Sequence, residues 1–400
     1  MDDLARDIQS TSADAGADAD ADADADAGAC AKTGGISHVV DYGSGQAYLS
    51  RTLAKKYGRN VVGLESRTVN IEGAKTLDRM YDSIAVKKLR YKRRVQAAGS
   101  AGGGGDALPE APAFGSLQYV QTVISDGNLD RVVEAIDRVR ATQPGDGSGD
   151  DGTQPVAKPL LLTSLHSCGN LVHHALDAFR NTPSVRAVAL IGCCYNLMTE
   201  KHGASFKPPF LRVAYPRLVA AAAAGDPHGF PISARLAARH VRFNITARSM
   251  ACQAPLNWTS SASASFFRSH FYRALLQRIF LDRGLISLEA PEPVVVGSLP
   301  KPSYAGFHAY CVAAVAKLGW QRRCPLTPDE TAAYERRFGA RRRELEVVWS
   351  LMAFSAAVVE SAIAVDRWLF LREMGCRHAW VEAAFDHAVS PRNLVVVGVR

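Results

Sequence analysis

The sequence predicts an α/β fold of Rossmann-like design, a mostly parallel sheet with helices on both faces and a helical insertion. Three observations predict it. Ile36–Ser50 reads as strand, glycine turn and helix: the apolar run Ile36–Val40 ends at Asp41, Gly43-Ser44-Gly45 follows, and Leu49, Leu53 and Ala54 mark one helical face. Pro159–Leu165 and Val185–Gly192 are apolar almost throughout, as strands are when a parallel sheet buries both their faces. Leu394–Val399 is a β-branched apolar run after a turn at Ser390-Pro391-Arg392-Asn393, and it needs the same two-sided cover, so it is expected to complete the sheet that starts at Ile36.

Taken in order, residues 1–35 form an Asp/Ala-rich tail whose alternation from Ala13 to Ala27 cannot bury a core and is expected to be disordered. The first strand and helix follow. Val61–Leu64 is a second strand ending at Glu65, with a helix expected over Val69–Ile84. Lys87-Lys88-Leu89-Arg90-Tyr91-Lys92-Arg93-Arg94 is a basic run with an interleaved aromatic, read either as a phosphate-binding or nuclear-targeting segment or as a solvated helix end. Residues 97–113 and 143–156 are linkers rich in Gly. Between them Gln118–Ile124 reads as the third strand, with Asp126 just beyond it and a helix over Leu129–Arg140. From Thr199 the pattern turns helical, with helices expected at Arg212–Ala224 and Phe266–Arg283. Glu344–Phe370 reads as one long helix or two with a break. Trp380–Phe385 is strand-like. The domain division is therefore 36–198 with 376–400 for the sheet domain and 199–375 for the insertion.

Composition narrows the class. Four hundred residues allow two domains with ample core. The opening Met1-Asp2-Asp3-Leu4 lacks a basic-then-apolar leader pattern, and no apolar run reads as a membrane span, so no membrane partner is expected. Eight cysteines without regular pairing point to a reducing compartment, hence an intracellular protein of cytoplasm or nucleus. The formal charge is +8, but the first thirty residues hold nine Asp and one Arg, so residues 31–400 carry +16 (the +8 total less the −8 tail). That favours an anionic partner, with RNA leading and a protein substrate as the alternative.

The glycine turn after a strand lets a ligand approach the backbone, and the new helix offers unpaired N–H groups, which suits a nucleoside-bearing cofactor. A dinucleotide fingerprint would place a third glycine where Tyr48 stands, and a Walker loop would need Gly-Lys-Ser/Thr. Asp41-x-Gly43-x-Gly45 instead resembles the first motif of class I S-adenosylmethionine methyltransferases, in which the acid and loop face the methionine end. Glu65, at the end of the second strand, suits the ribose hydroxyls because a carboxylate accepts two hydrogen bonds.

Asp41-Tyr-Gly-Ser-Gly-Gln-Ala-Tyr-Leu-Ser, Leu165-His-Ser-Cys-Gly-Asn-Leu, Gly192-Cys-Cys-Tyr-Asn-Leu and Ser390-Pro-Arg-Asn-Leu, in that order, are similar to the methyltransferase-like twenty-five family, which includes relatives named for a ribosomal RNA adenine dimethylase domain. The His-x-Cys-Gly and Cys-Cys pair is also similar to tRNA 2′-O-methyltransferases that modify the acceptor stem. The resemblance implies a class I methyltransferase fold, with an antiparallel C-terminal hairpin inserted in the sheet. It also implies S-adenosylmethionine as cofactor, bound by Asp41, Gly43, Ser44, Gly45, Glu65, Ser66 and Asp126. The expected activity is methyl transfer, to RNA first, with a degenerate binding module or a protein methyltransferase as alternatives. Three departures stand out. Many relatives have Gly-Lys-Gly where Gly45-Gln46-Ala47 stands, an aspartate often stands where Asn170 is, and a Lys-Lys-x-His-Glu region upstream is replaced by the Asp/Ala repeat.

His166, Cys168, Cys193 and Cys194 end two strands expected to be neighbours. Their types suggest zinc, but the spacing is not that of a zinc finger, and adjacent cysteines rarely both reach one metal from a regular strand, so no metal site is expected. They read either as small polarizable packing around the pocket or as chemistry: His166 as proton acceptor, and Cys194, Tyr195 and Asn196 shaping the acceptor slot. The Asn/Asp-Pro-Pro-aromatic loop of many amino methyltransferases does not occur here, which weakens a base N-methylation reading, while oxygen methylation needs a base or strong positioning that His166 could supply. The remaining basic cluster, Arg336-Arg337 with Arg341-Arg342-Arg343, is read as a solvated helix face or an RNA-phosphate face.

Overall fold

The computed structural model describes residues 35–99, 114–124, 127–130, 132–134, 136, 158–203, 225–287, 294 and 296–400, with backbone only over 85–99. Asp126, the Asp/Ala tail, the linkers at 100–113 and 143–156 and the helix expected at 212–224 lie outside the described residues. The chain divides into two compact units. One comprises Met1–Cys194, Pro231–Arg239 and Ala364–Arg400; the other comprises Tyr195–Phe230 and His240–Ile363.

The first unit carries a sheet of seven strands: β1 His38–Tyr42, β2 Val61–Glu65, β3 Leu117–Gln121, β4 Leu160–Ser167, β5 Val185–Gly192, β6 His378–Ala383 and β7 Leu394–Val399. Their spatial order is β3-β2-β1-β4-β5-β7-β6. Strands β1 to β5 pair in parallel, and β7 runs antiparallel to both β5 and β6. β3 and β6 each start before the stretch expected from sequence, and β4 runs on to Ser167. The helices are α1 Tyr48–Tyr57, α2 Thr68–Gly99 and α3 Leu171–Asn181, with the short α4 Ala234–Ala238. α2 continues well past Ile84, so the basic run 87–94 is helical backbone.

The period of two in the strands sorts their side chains onto two faces. Val40, Tyr42, Val62, Leu64, Leu162, Val188, Leu190 and Val396 pack on one face with Val172, Leu176 and Phe179 of α3 and with Phe370 and Leu371. Val39, Val61, Leu161, Ala187, Ala189, Val395 and Val397 pack on the other with Leu53 and Ala54 of α1. Each fully buried Leu or Phe in these layers contributes about 1.5–3 kcal/mol.

The second unit is helical: α5 Ile245–Ala251, α6 Ser260–Asp282, α7 Phe307–Lys317, α8 Pro328–Phe338, α9 Arg341–Phe354 and the first half of α10 Ala356–Glu373. Asn244, Thr259 and Thr327 cap α5, α6 and α8 by accepting from backbone N–H groups. Phe271, Leu275, Ile279 and Phe280 of α6 pack on Phe307, Tyr310 and Ala314 of α7. A smaller cluster joins Tyr195, Met198, Phe230, Ala251, Val359 and Ile363, above which Arg248 and Glu200 form a buried ion pair. The break anticipated between α9 and α10 falls at Ser355. Among the described residues one stretch, Arg341–Glu373, is long and apolar enough by length and composition to cross a membrane, with 33% of its apolar window buried.

In the first unit, the C-terminal half of α10 is tied down by its acids. Asp366 accepts from the backbone of Ile232 and Ser233 and from the Ser233 hydroxyl (2.6 Å), and Glu373 accepts from Ala234 and Arg235.

Candidate cofactor pocket and active site

The strand order reverses direction between β1 and β4, and ligands of open α/β sheets bind outside the carboxyl ends of the strands at such a point. The loop after β1 is Gly43-Ser44-Gly45, and the loop after β4 begins at Cys168. Gly43 and Gly45 have φ of +69° and +57°, which an L side chain adopts only with strain. A Cβ at Gly43 would lie 2.8 Å from Leu171 Cδ2 at the start of α3, so the turn is seated directly against that helix. A Cβ at Gly45 meets nothing within 4 Å. Within the protein the constraint at Gly45 is therefore the backbone angle.

Glu65 organises the loop. Its Oε2 accepts from Gly45 N–H at 3.0 Å, and its Oε1 accepts from Arg67 N–H at 2.8 Å and from Ser66 Oγ at 3.3 Å. The carboxylate therefore braces the glycine turn, while its remaining lone pairs stay available to hydroxyl donors. The Ser44 N–H bonds Leu64 O at 2.9 Å, and the Ser44 hydroxyl is buried with no hydrogen-bond partner. Ser167 Oγ, at the end of β4, is buried and unpartnered in the same way. Such groups are costly unless a ligand or water satisfies them.

Asp41 is nearly inaccessible and does not face the loop's open side. It accepts a 2.5 Å bond from Ser50 Oγ on α1. Burial pushes its carboxyl up to about 6, with the Ser50 bonds acting the other way. Its role is to join β1 to α1 rather than to present a charge at the methionine end, a correction with a plain cause: a side chain at the last inward position of a central strand has no route to solvent.

Beside Glu65, at the ends of β2 and β3, lies a cavity of about 690 Å³ lined by Leu64, Ser66, Gln121, Thr122, Val123, Ile124, Asn128, Asp130 and Val132. Its size is in the ordinary range for small-molecule sites. Asp126 lies outside the described residues, while Ile124 and Asn128 on either side of it line this cavity. An open glycine turn, a carboxylate at the next strand end, an orphaned hydroxyl and this cavity form a contiguous set that fits a nucleoside-bearing group.

Arg51 escaped the sequence reading. Its guanidinium bonds Gln46 O and Ala74 O, and it pairs with Asp78 at 2.6 Å, which in turn accepts from Tyr119 OH at 2.6 Å. It ties the glycine loop, α1, α2 and β3 together. An arginine among lysines on an amphipathic helix carries no signal of this in sequence.

At the β4 and β5 ends the structure brings three sulfurs together. Cys168 Sγ is 3.3 Å from both Cys193 Sγ and Cys194 Sγ, which are 3.5 Å apart. A hydrogen bond with Cys193, then one with Cys194, draws the Cys168 thiol down to about 6, and the same bond with Cys168 holds the proton on Cys193, pushing it up. His166 is exposed on the last turn of β4. Tyr195 and Asn196, expected beside them in an acceptor slot, are engaged in the second unit. Tyr195 is buried and its hydroxyl donates to Glu360 at 2.9 Å, and Asn196 accepts from Cys252 Sγ at 3.4 Å. Tyr195 is thus a core residue: the chain leaves the sheet domain at Cys194, a boundary the continuous motif conceals.

Residues 24–201 match the family described as a methyltransferase domain. "Probable methyltransferase-like protein 25" of Mus musculus is 24% identical over 446 aligned residues, covering 92% of this chain and 71% of that protein. The Homo sapiens protein of the same name is 22% identical over 449 residues with the same coverage. No solved structure matches the chain.

Proposed function

We propose that this chain, an enzyme built on a methyltransferase domain, transfers the methyl group of S-adenosylmethionine to an RNA acceptor. The observation that carries the cofactor assignment is the Gly45 N–H to Glu65 bridge at the switch point of the sheet, opening on the cavity lined by Ser66 and Gln121. In this reading Gly43, Ser44 and Gly45 admit the methionine end. Glu65 and Ser66 hold the ribose, and the residues around Ile124 and Asn128 enclose the adenine. Bound there, S-adenosylmethionine supplies an electrophilic methyl group on a sulfonium. The chain's own part is to orient it, exclude water and receive the acceptor's proton. In this reading His166, exposed at the end of β4, takes the proton of a hydroxyl acceptor.

RNA is favoured by the +16 charge of residues 31–400. The Arg341–Arg343 cluster contributes less than its sequence suggests, because Arg341 pairs with Glu344, and Arg342 and Arg343 with Glu346. The intracellular assignment rests on cysteine usage alone. The test is calorimetry with S-adenosylmethionine, followed by incubation with the tritiated cofactor and total cellular RNA and protein. Label lost to ribonuclease and retained after protease is the expected result. Label with the opposite sensitivity assigns a protein acceptor and overturns the RNA reading, and absence of cofactor binding overturns the enzyme reading.

A further inference from the structure

We propose that Cys168, Cys193 and Cys194 form a three-thiolate site for a thiophilic d10 cation, zinc being the cellular one, at the carboxyl ends of β4 and β5. The site is independent of the methyl-transfer reading and of the acceptor's identity.

The geometry follows from strand register. Ser167 and Gly192 are the last partners of the β4–β5 ladder, so the next residues, Cys168 and Cys193, emerge side by side. The regular strand ends at Gly192, so Cys194 lies in the turn and is not forced to the opposite face from Cys193. Three backbone bonds hold this arrangement: Cys193 N–H to Ser167 O at 3.4 Å, Gly169 N–H to Cys194 O at 3.2 Å, and Cys168 N–H to His166 O at 3.0 Å. The sulfurs stand in a triangle of 3.3, 3.3 and 3.5 Å. Tetrahedral zinc with Zn–S bonds of about 2.3 Å needs sulfurs about 3.8 Å apart, so each edge opens by only a few tenths of an ångström. A disulfide needs about 2.05 Å and consumes two of the three sulfurs.

Burial does not account for the cluster, because Cys168 is exposed. Among the described residues no fourth His, Cys, Asp or Glu joins these three. The arrangement is therefore three protein ligands with the fourth position open toward solvent, the pattern of sites that exchange a water or substrate ligand. Binding displaces the thiol protons, which pass to buffer as the metal–sulfur bonds form.

The test uses the full chain, purified anaerobically with a non-thiol reductant, freed of metal and titrated with Cd²⁺, then with Zn²⁺ in competition. One equivalent should bind and give the ultraviolet thiolate-to-cadmium charge-transfer band. Cys168→Ser, at an exposed position, should keep the parent's metal-free melting curve, lose about a third of that band and weaken binding about a hundredfold. Cys252→Ser should bind as the parent does. The proposal is overturned if the band is absent, if it survives in the Cys168→Ser/Cys193→Ser/Cys194→Ser variant, or if the reduced parent binds no metal and mass spectrometry after air exposure shows only a Cys168 disulfide.

Discussion

Asp41 shows how one buried carboxyl couples fold to pH. The folded group titrates near 6 against an ordinary 3.8, so the folded state holds its proton to higher pH than the unfolded chain does. Its contribution to stability is therefore fullest at acid pH, declines as pH rises above 3.8, and is lost once pH passes about 6. Asp41→Asn keeps an acceptor for Ser50 and carries no charge. In chemical denaturation its stability relative to the parent should rise between about pH 3 and about pH 7, by up to about 3 kcal/mol. A difference that stays flat would show that the carboxyl titrates normally. The two loop glycines separate conformation from packing. Gly45→Ala, facing open space, should cost only the left-handed backbone, about 1–2 kcal/mol, whereas Gly43→Ala adds the clash with Leu171 and should cost about 2–5 kcal/mol. Equal losses in denaturant titrations would refute that distinction.

Helix α1 starts badly. Its N-cap is Ala47, a buried residue at φ 58° with no side chain to receive the helix's first N–H groups. Asp41 compensates in part by accepting from the Ser50 hydroxyl and backbone N–H, while Arg51 anchors the turn by donating to Gln46 O. An alanine at this position pays for the left-handed conformation that a glycine adopts without strain. Ala47→Gly should stabilise the fold by about 0.5–1 kcal/mol, read from the denaturation midpoint at unchanged m-value. A loss of stability would mean that the buried methyl contributes more packing than the backbone costs. At the β4 and β5 ends the sequence reading placed His166, Cys168, Cys193 and Cys194 correctly on neighbouring strands. It expected adjacent cysteines to point apart because it carried the strand's alternation one residue too far, past Gly192.

For the whole molecule, the C-terminal strand is not an appendage. β7 lies between β5 and β6, with Val395, Val396 and Val397 buried, one row of their side chains on each face of the sheet. Removing residues 391–400 would strip both neighbours of their ladder and open both cores. The truncated chain is expected to lose cooperative melting altogether, and retention of a sharp transition by calorimetry would show β7 to be dispensable. What the sequence determined by itself was the set of strands, the glycine turn with its flanking acids and the place of the last strand in the first sheet. These depend on local pattern and on two-sided burial, both written in the order of residue types. What only the tertiary structure decided was the direction in which those residues act: that Asp41 turns inward to Ser50, that Glu65 braces Gly45, that Tyr195 belongs to a second core, and that three cysteines converge. Each depends on strand register, or on where a regular element stops, and a shift of one residue there redirects a side chain without changing the pattern that encodes the element.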